Sequence, residues 1–157
     1  MATFEHWLLW ILKVFILSNP HEYYPNSKKQ IDITYLKQFR DMSVLWEKLV
    51  DDYLSGVPYQ GMKDQLKTFL KFFGLKVGDF TKNLLDTINE NSQCRNLIMH
   101  NQKKVNASYI TKCGLFAKHA AGDSVVVTED ILFAQADNLL RFMQDFRKNC
   151  ESVGKSV

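Results

Sequence analysis

Residues 33–54 read ITYLKQFRDMSVLWEKLVDDYL, and apolar side chains recur along this stretch every three or four positions. Since an α-helix has about 3.6 residues per turn, this spacing collects them on one face. Ser55 and Gly56 follow directly, and glycine is common at the position that ends a helix. The stretch therefore predicts one long amphipathic helix, which needs other helices to cover its apolar face.

Further helices are predicted at residues 3–19, 62–73, 79–100, 106–113 and 128–146. Thr3, Asn106 and Thr128 have side chains that can cap the start of a helix. Pro20 ends the first helix, because the residue before a proline is driven out of helical geometry. Gly74 is placed to end the third. An apolar stripe is predicted along the last helix, at Leu132, Ala136, Leu139, Met143 and Phe146.

Helical spacing is lost between residues 115 and 127. Leu115-Phe116 and residues 124–127 flank an Ala-Gly-Asp turn, which predicts a small β-hairpin near 115–127, with a loop as the alternative. The chain has 157 residues and a mass of 18.3 kDa, the size of one domain, and no internal repeat divides it. We therefore predict an all-α, single-domain bundle of about five helices that covers residues 1–157.

The composition is that of an ordinary globular chain, with 46% hydrophobic and 24% charged residues. These values exclude a disordered or collagenous protein. Cys94, Cys113 and Cys150 form no C-x-x-C pair, so neither a disulfide framework nor a zinc knuckle is indicated. Such cysteine usage is typical of a reducing compartment, and we expect a cytoplasmic protein.

The sequence gives no sign of a metal site or a cofactor. His6, His21 and His119 have no metal-ligand spacing with one another or with a cysteine. No glycine-rich phosphate loop is present. Cys94 lies beside Arg95, but we expect an inert, partly buried thiol there rather than a nucleophile.

Residues 7–17 form an apolar run interrupted by Lys13. A membrane-spanning helix needs about 20 apolar residues, and the flanking residues do not fit a signal peptide, so we expect no membrane association. A short helix that is apolar nearly all round is either buried in its own domain or lies partly in a subunit interface. Trp7, Trp10 and Phe15 are candidates for contacts in such an interface.

Residues 91–122 contain neither Asp nor Glu, although the chain has 17 acidic residues. Five cations lie within this stretch, together with His100 and His119: Arg95, Lys103, Lys104, Lys112 and Lys118. A run that carries only positive charge attracts a polyanion such as RNA, which makes these lysines candidate RNA-binding residues. The alternative is a solvated basic face.

Arg95 has no acidic residue three or four positions away in the predicted helix. Its guanidinium is therefore free for a distant carboxylate or for a phosphate, which it holds with two parallel hydrogen bonds. Asn96 and His100 are four residues apart, so they share one face of the helix. The alternative is that His100 is a structural residue.

The stretch Arg95-Asn96-Leu97-Ile98-Met99-His100-Asn101 resembles the signature of HEPN domains (higher eukaryotes and prokaryotes nucleotide-binding), an arginine and a polar residue followed by a histidine. Val105-Asn106 and Tyr109-Ile110 resemble the continuation in bacterial stand-alone members. The likeness covers residues 89–110.

This resemblance implies a metal-independent endoribonuclease that acts as a homodimer, as a toxin or defence effector restrained by a cognate antitoxin or regulatory protein. It implies that His100 moves a proton, that Arg95 stabilises charge on the phosphate and that Asn96 supports them. Gln102 stands where the toxins controlled by a nucleotidyltransferase antitoxin commonly carry a modified tyrosine, so that route of neutralisation is not expected. The alternative is a non-catalytic HEPN-like module that binds nucleic acid or a protein.

Arg95 and His100 are five residues apart, and five steps of a regular helix turn through about 140° beyond one full turn. One straight helix cannot aim both side chains at one phosphate. Either the helix distorts near Met99, or the two groups come from two chains related by a two-fold axis.

Overall fold

The computed structural model describes residues 2–25 and 32–154, and within these ranges helices account for most of the chain. Eight α-helices are present there: α1 (Ala2–Ser18), α2 (Pro20–Tyr23), α3 (Ile33–Leu36), α4 (Met42–Leu54), α5 (Met62–Phe72), α6 (Leu84–His100), α7 (Ala107–Cys113) and α8 (Glu129–Ser152). The described residues contain no β-strand, so the prediction of an all-α bundle is confirmed. The eight helices exceed the predicted number of about five, and two of them, α2 and α3, are single turns of four residues each.

The long helix predicted over residues 33–54 is wrong, because the stretch is divided into α3 and α4. Asp41 lies between them in an extended conformation, and its carboxylate accepts a hydrogen bond from the backbone N–H of Ser43 at 2.8 Å. An N-cap of this kind starts a new helix and satisfies its free N–H groups. The apolar stripe is interrupted as well, since α3 has no buried residue whereas α4 buries Leu45, Val50 and Leu54.

The larger of two hydrophobic cores lies between α1, α4, α5, the first turns of α6 and the last turns of α8. Aromatic rings fill its centre: Phe69, Phe73, Phe142 and Phe146 are all 2% exposed or less. The ring centroids of Phe69 and Phe146 are 4.8 Å apart. Ring contacts of this kind add to the gain from removing apolar surface from water.

Helix α1 buries one face in this core through Phe4, Leu8, Leu12 and Ile16. Its opposite face leaves Trp10 54% exposed. Thr3, predicted as the N-cap, lies inside the helix, which begins at Ala2. Within the described ranges no helix has the length and apolar character needed to cross a bilayer.

Helix α6 begins at Leu84, later than the predicted start near Asp79 or Thr81. Asn83 has a φ of 65°, in the left-handed region, and this residue cannot be part of a regular right-handed helix. The Asp145 carboxylate instead accepts from the N–H and the hydroxyl of Thr81 at 2.9 and 2.8 Å. This contact fixes the segment before α6 to α8.

Helix α8 has 24 residues, which gives a length of about 36 Å. Only its second half packs as the predicted stripe requires: Phe146 is buried and Leu139 and Met143 contact the core. Leu132 is 53% exposed and Ala136 is also exposed, so the first half of the stripe is wrong. The helix is longer than the core that it covers.

A smaller core joins the C-terminal half of α6 to α7 and to residues 103–125. Its buried members are Cys94, Leu97, Val105, Tyr109, Cys113 and Val125. The hairpin predicted near 115–127 is wrong, because Gly114–Phe116 form a 3₁₀ turn and Ser124 makes an isolated antiparallel bridge with Lys104 instead. Val125 is buried beside Val105, whereas Leu115 is fully exposed, so burial favours this pairing.

Candidate functional site

Helix α6 passes between the two cores, and its middle turns are polar yet buried. The five consecutive side chains from position 89 to position 93 are each at most 6% exposed: Asn89, Glu90, Asn91, Ser92 and Gln93. Buried polar groups are costly unless they are hydrogen-bonded. The partners of these groups therefore determine how α7 and the following segment pack on α6.

Glu90 is the centre of a buried hydrogen-bond network. The Tyr109 hydroxyl and the Cys94 thiol both donate to Glu90 Oε1, at 2.7 and 3.0 Å. Lys118 Nζ lies 3.0 Å from Glu90 Oε2, and the Lys118 backbone N–H donates to the Tyr109 hydroxyl oxygen at 3.1 Å. These contacts join α6, α7 and the segment after α7 around one carboxylate.

The network keeps its thiol and phenol groups protonated at neutral pH. Burial raises the pKa of Cys94 to about 12, and the hydrogen bond to Glu90 adds to the shift. Burial and the hydrogen bond to Glu90 also raise the pKa of Tyr109. Because a thiolate is the reactive form of cysteine, Cys94 is a hydrogen-bond donor here and a poor nucleophile.

An open cleft of about 200 Å³ lies beside this network, between the end of α6 and α7. Asn96, His100 and Lys112, three of the residues singled out in the sequence, all line it. The other lining residues are Gln93, Leu97, Asn101, Asn106, Ser108 and Tyr109. The wall is therefore formed mostly by amides, hydroxyls and cationic or imidazole groups, which suits a polar ligand.

Arg95 does not line this cleft. It is half-buried on another face of α6, and its Nη1 lies 3.3 Å from the side-chain oxygen of Asn96. Arg95 makes no ion pair within residues 2–25 and 32–154. Helix α6 is continuous through Met99 to His100, so a local distortion does not bring Arg95 and His100 together.

Asn91 lies one turn before Arg95, on the same face of α6. Its residue is 3% exposed, and its Nδ2 has no hydrogen-bond partner among the described residues. An unmade buried hydrogen bond costs about 1–3 kcal/mol. This amide is a local cost to stability, and its burial keeps it out of reach of a partner at the surface.

The other candidate lysines lie near the end of α6. Gln102 and Lys103 follow the helix with positive φ values of 49° and 65°, and Lys103 and Lys104 are exposed. Lys112 is exposed on α7, whereas Lys118 is paired with Glu90. Lys112 therefore forms part of the cleft wall, while Lys103 and Lys104 are exposed in the turn that follows His100.

One further cluster was not predicted. Glu90, Cys94 and His119 each offer an atom that can bind a metal, and these atoms all lie within 4.8 Å of one another. His119 is 25 positions from Cys94 in the chain, so no local spacing pattern joins them. The fold of the segment after α7 brings His119 to α6.

A larger pocket of about 600 Å³ lies in another part of the molecule. Five of its twelve lining residues are aromatic, among them Phe15, Tyr23, Tyr53 and Phe72. Tyr23 stacks on Phe15 with ring centroids 4.3 Å apart, which supports packing as the role of this tyrosine. None of the residues that border the Asn96–His100 cleft borders this pocket.

Comparisons of the chain with models of protein families, with curated proteins and with solved structures find no match. The proposed function therefore rests on the chemistry of this chain and on the likeness of residues 95–101 to the HEPN signature.

Proposed function

We propose that the chain is a metal-independent endoribonuclease of the HEPN type, a toxin or defence effector that acts in the cytoplasm as a homodimer. The observation that carries the proposal is the arrangement on α6: Asn96 and His100 line a polar cleft, and Arg95 makes no ion pair among the described residues. Lys112 lines the cleft, and Lys103 and Lys104 are exposed in the turn after His100, where they would bind the RNA backbone.

The reaction needs proton transfer and charge stabilisation. The ribose 2′-oxygen attacks phosphorus and loses its proton to a base, the bond from phosphorus to the 5′-oxygen breaks, and that oxygen takes up a proton. The products are a 2′,3′-cyclic phosphate and a 5′-hydroxyl. An imidazole such as His100 can move the proton, which contributes about 10² to 10⁴ in rate. A guanidinium such as Arg95 stabilises the charge that grows on the phosphate oxygens.

The separation of Arg95 from the cleft supports a site built from two chains. In a two-fold dimer Arg95 of one chain can approach the cleft of its partner, because in an isologous interface a group on one chain contacts a different group on the other, and the reverse contact is made at the same time. Exposed apolar residues on the free half of α8, Ile131, Leu132 and Phe133, offer surface for such an interface.

The test is RNA cleavage by the purified chain in excess chelator, with the ends of the products identified. We expect cyclic-phosphate ends, and a loss of about 10²-fold or more in rate for His100→Ala and for Arg95→Ala. His6→Ala and Arg40→Ala, both at exposed positions outside the cleft, are the matched controls and should retain activity.

A binding module is the second candidate, and it is favoured by the position of Arg95 outside the cleft that His100 lines. Such a module binds RNA through Lys103, Lys104 and Lys112 without cutting it. Tight binding with no product, unchanged by His100→Ala and weakened by Lys112→Ala, would select this function and reject the nuclease.

A further inference from the structure

The cluster of Glu90, Cys94 and His119 has the geometry of three ligands around one small ion. Glu90 and Cys94 are four residues apart, so they project from the same face of α6, and their Oε1 and Sγ atoms are 3.0 Å apart. His119 approaches from the segment after α7 and is half-buried, and the three ligand atoms lie within 4.8 Å of one another. Two chain segments thus meet at a single point in the smaller core.

The chemistry of the three groups fits zinc. Carboxylate oxygen, thiolate sulfur and imidazole nitrogen are its usual ligands, at about 2.0–2.3 Å, and neighbouring vertices of such a tetrahedron are about 3.5 Å apart. Glu90 Oε1 and Cys94 Sγ are already closer than this spacing, at 3.0 Å, and all three ligand atoms lie within 4.8 Å of one another, so small side-chain shifts bring them to it. A bound water completes four-fold coordination.

From this geometry we propose that Glu90, Cys94 and His119 form a zinc-type site that fastens the segment after α7 to α6. None of its three ligands is among the residues proposed above for RNA cleavage. Its effect is to stabilise the fold, because the ion binds the folded chain and not the unfolded one.

The charges balance when a divalent ion enters. The Cys94 S–H bond breaks, its proton goes to solvent, a bond from sulfur to the metal forms, and no electron is transferred. A carboxylate, a thiolate and a neutral imidazole then carry two negative charges against two positive charges of the ion. Glu90 exchanges its present counter-ion for the metal.

The Lys118 ammonium competes with the metal for the Glu90 carboxylate. Its ammonium lies 3.0 Å from Glu90 Oε2, but its side chain is 58% exposed, so it can turn into solvent when a metal takes its place. Removal of the ammonium should therefore favour the metal. We expect Lys118→Ala to bind the metal about fivefold more tightly, as expected for the loss of one partly exposed ion pair.

The test is titration of the purified full chain, free of metal, with Co²⁺ as a spectroscopic probe. We expect one equivalent to give the visible bands of four-coordinate cobalt and a charge-transfer band from thiolate. Cys94→Ser should abolish the charge-transfer band, and His119→Ala should weaken Co²⁺ binding at least tenfold. His6→Ala and Cys150→Ser are the matched controls, with folding of each variant checked by circular dichroism.

The absence of a thiolate band in the wild-type chain overturns the proposal, and so does a band that is unchanged in Cys94→Ser or His119→Ala. Weaker binding by Lys118→Ala also overturns it, and this variant tests the site without removing a ligand. Because the readout is absorbance, failure here leaves the nuclease proposal untouched. Failure of RNA cleavage equally leaves the cobalt spectrum as it is.

Discussion

The first turns and the middle turns of α6 bury their side chains in different ways. Leu84, Leu85 and Ile88 enter an aromatic core, in which Phe69 and Phe142 have no exposed surface. The turns from Asn89 to Cys94 instead bury polar groups, with the Glu90 carboxylate at the centre. Close packing of apolar side chains stabilises the first region, whereas hydrogen bonds and one ion pair stabilise the second.

This difference predicts which substitutions each region tolerates. A polar network is sensitive to the loss of a single acceptor, because the donors left behind are buried and unpaired. An aromatic core is sensitive to lost volume, because its neighbours close the cavity only in part. The two kinds of sensitivity can be measured separately.

The largest effect is expected in the aromatic core. Phe69→Ala removes a fully buried ring that contacts Phe73, Phe142 and Phe146, and should lower the free energy of unfolding by about 3–5 kcal/mol. Urea titration followed by circular dichroism measures it. A loss below 1 kcal/mol would show that this core is loosely packed.

The next effect is expected in the polar network. Glu90→Ala leaves the Tyr109 hydroxyl, the Cys94 thiol and the Lys118 ammonium without their acceptor, and should cost about 2–3 kcal/mol. Glu90→Gln keeps one acceptor oxygen and is the matched variant, with a smaller loss expected in the same urea titration. Equal losses in the two variants would mean that the hydrogen bonds to Glu90 contribute little.

The change in the free energy of unfolding at alkaline pH should distinguish the two regions further. The pKa of Cys94 is raised from 9.0 to about 12 in the folded chain, so between these values the unfolded chain releases a proton that the folded chain keeps. The stabilisation is complete below pH 9.0 and is lost as pH rises toward 12. Stability should fall by at most about 1.4 kcal/mol per pH unit from this group.

The measurement for this pH dependence is the free energy of unfolding in urea at a series of pH values between 8 and 11. Cys94→Ala is the comparison, and its curve should be flatter than that of the parent chain. Parallel curves would contradict the assignment of Cys94 as a buried, protonated donor.

The smallest effect on stability is expected on the free half of α8. Leu132 is 53% exposed, so Leu132→Lys should change the free energy of unfolding by no more than about 0.5 kcal/mol. If this half of α8 forms the interface of the proposed dimer, the same variant should be monomeric in sedimentation and should cut RNA poorly. A dimer that persists in Leu132→Lys places the interface elsewhere.

Local signals predicted much of the fold. Asn106 and Thr128 cap α7 and α8 as expected, accepting from the backbone N–H groups of Tyr109 and Ile131. Gly74 and Gly114 follow α5 and α7 with positive φ values, where glycine is favoured over residues with a Cβ. These features depend on a few neighbouring residues, and for that reason the sequence reveals them.

Features that depend on contacts with other parts of the chain were predicted less well. The apolar spacing of residues 33–54 did not indicate the N-cap at Asp41. Spacing reports which side chains share a face, and it does not report a side-chain hydrogen bond that competes with a continuous helix. Val125 has a β-forming side chain, but the partner of residues 124–125 proved to be the turn at Lys103–Val105 and not Leu115-Phe116. Which segment pairs with which is decided by tertiary packing.

The candidate site follows the same division. Asn96 and His100 share the cleft, as expected for residues four apart on a helix, and Lys112 joins them from α7. Arg95 lies off the cleft, as its five-residue separation from His100 requires. The Glu90 network could not be predicted, because Tyr109, Lys118 and His119 reach it only through the path of the chain after α6.

Tyr109 belongs to both of the arrangements beside α6. Its side chain borders the cleft that His100 lines, while its hydroxyl donates to Glu90. A change of charge at Glu90 therefore acts on a side chain that also forms part of the cleft wall. The shape of the cleft and the charge of the Glu90 carboxylate are connected through the Tyr109 side chain.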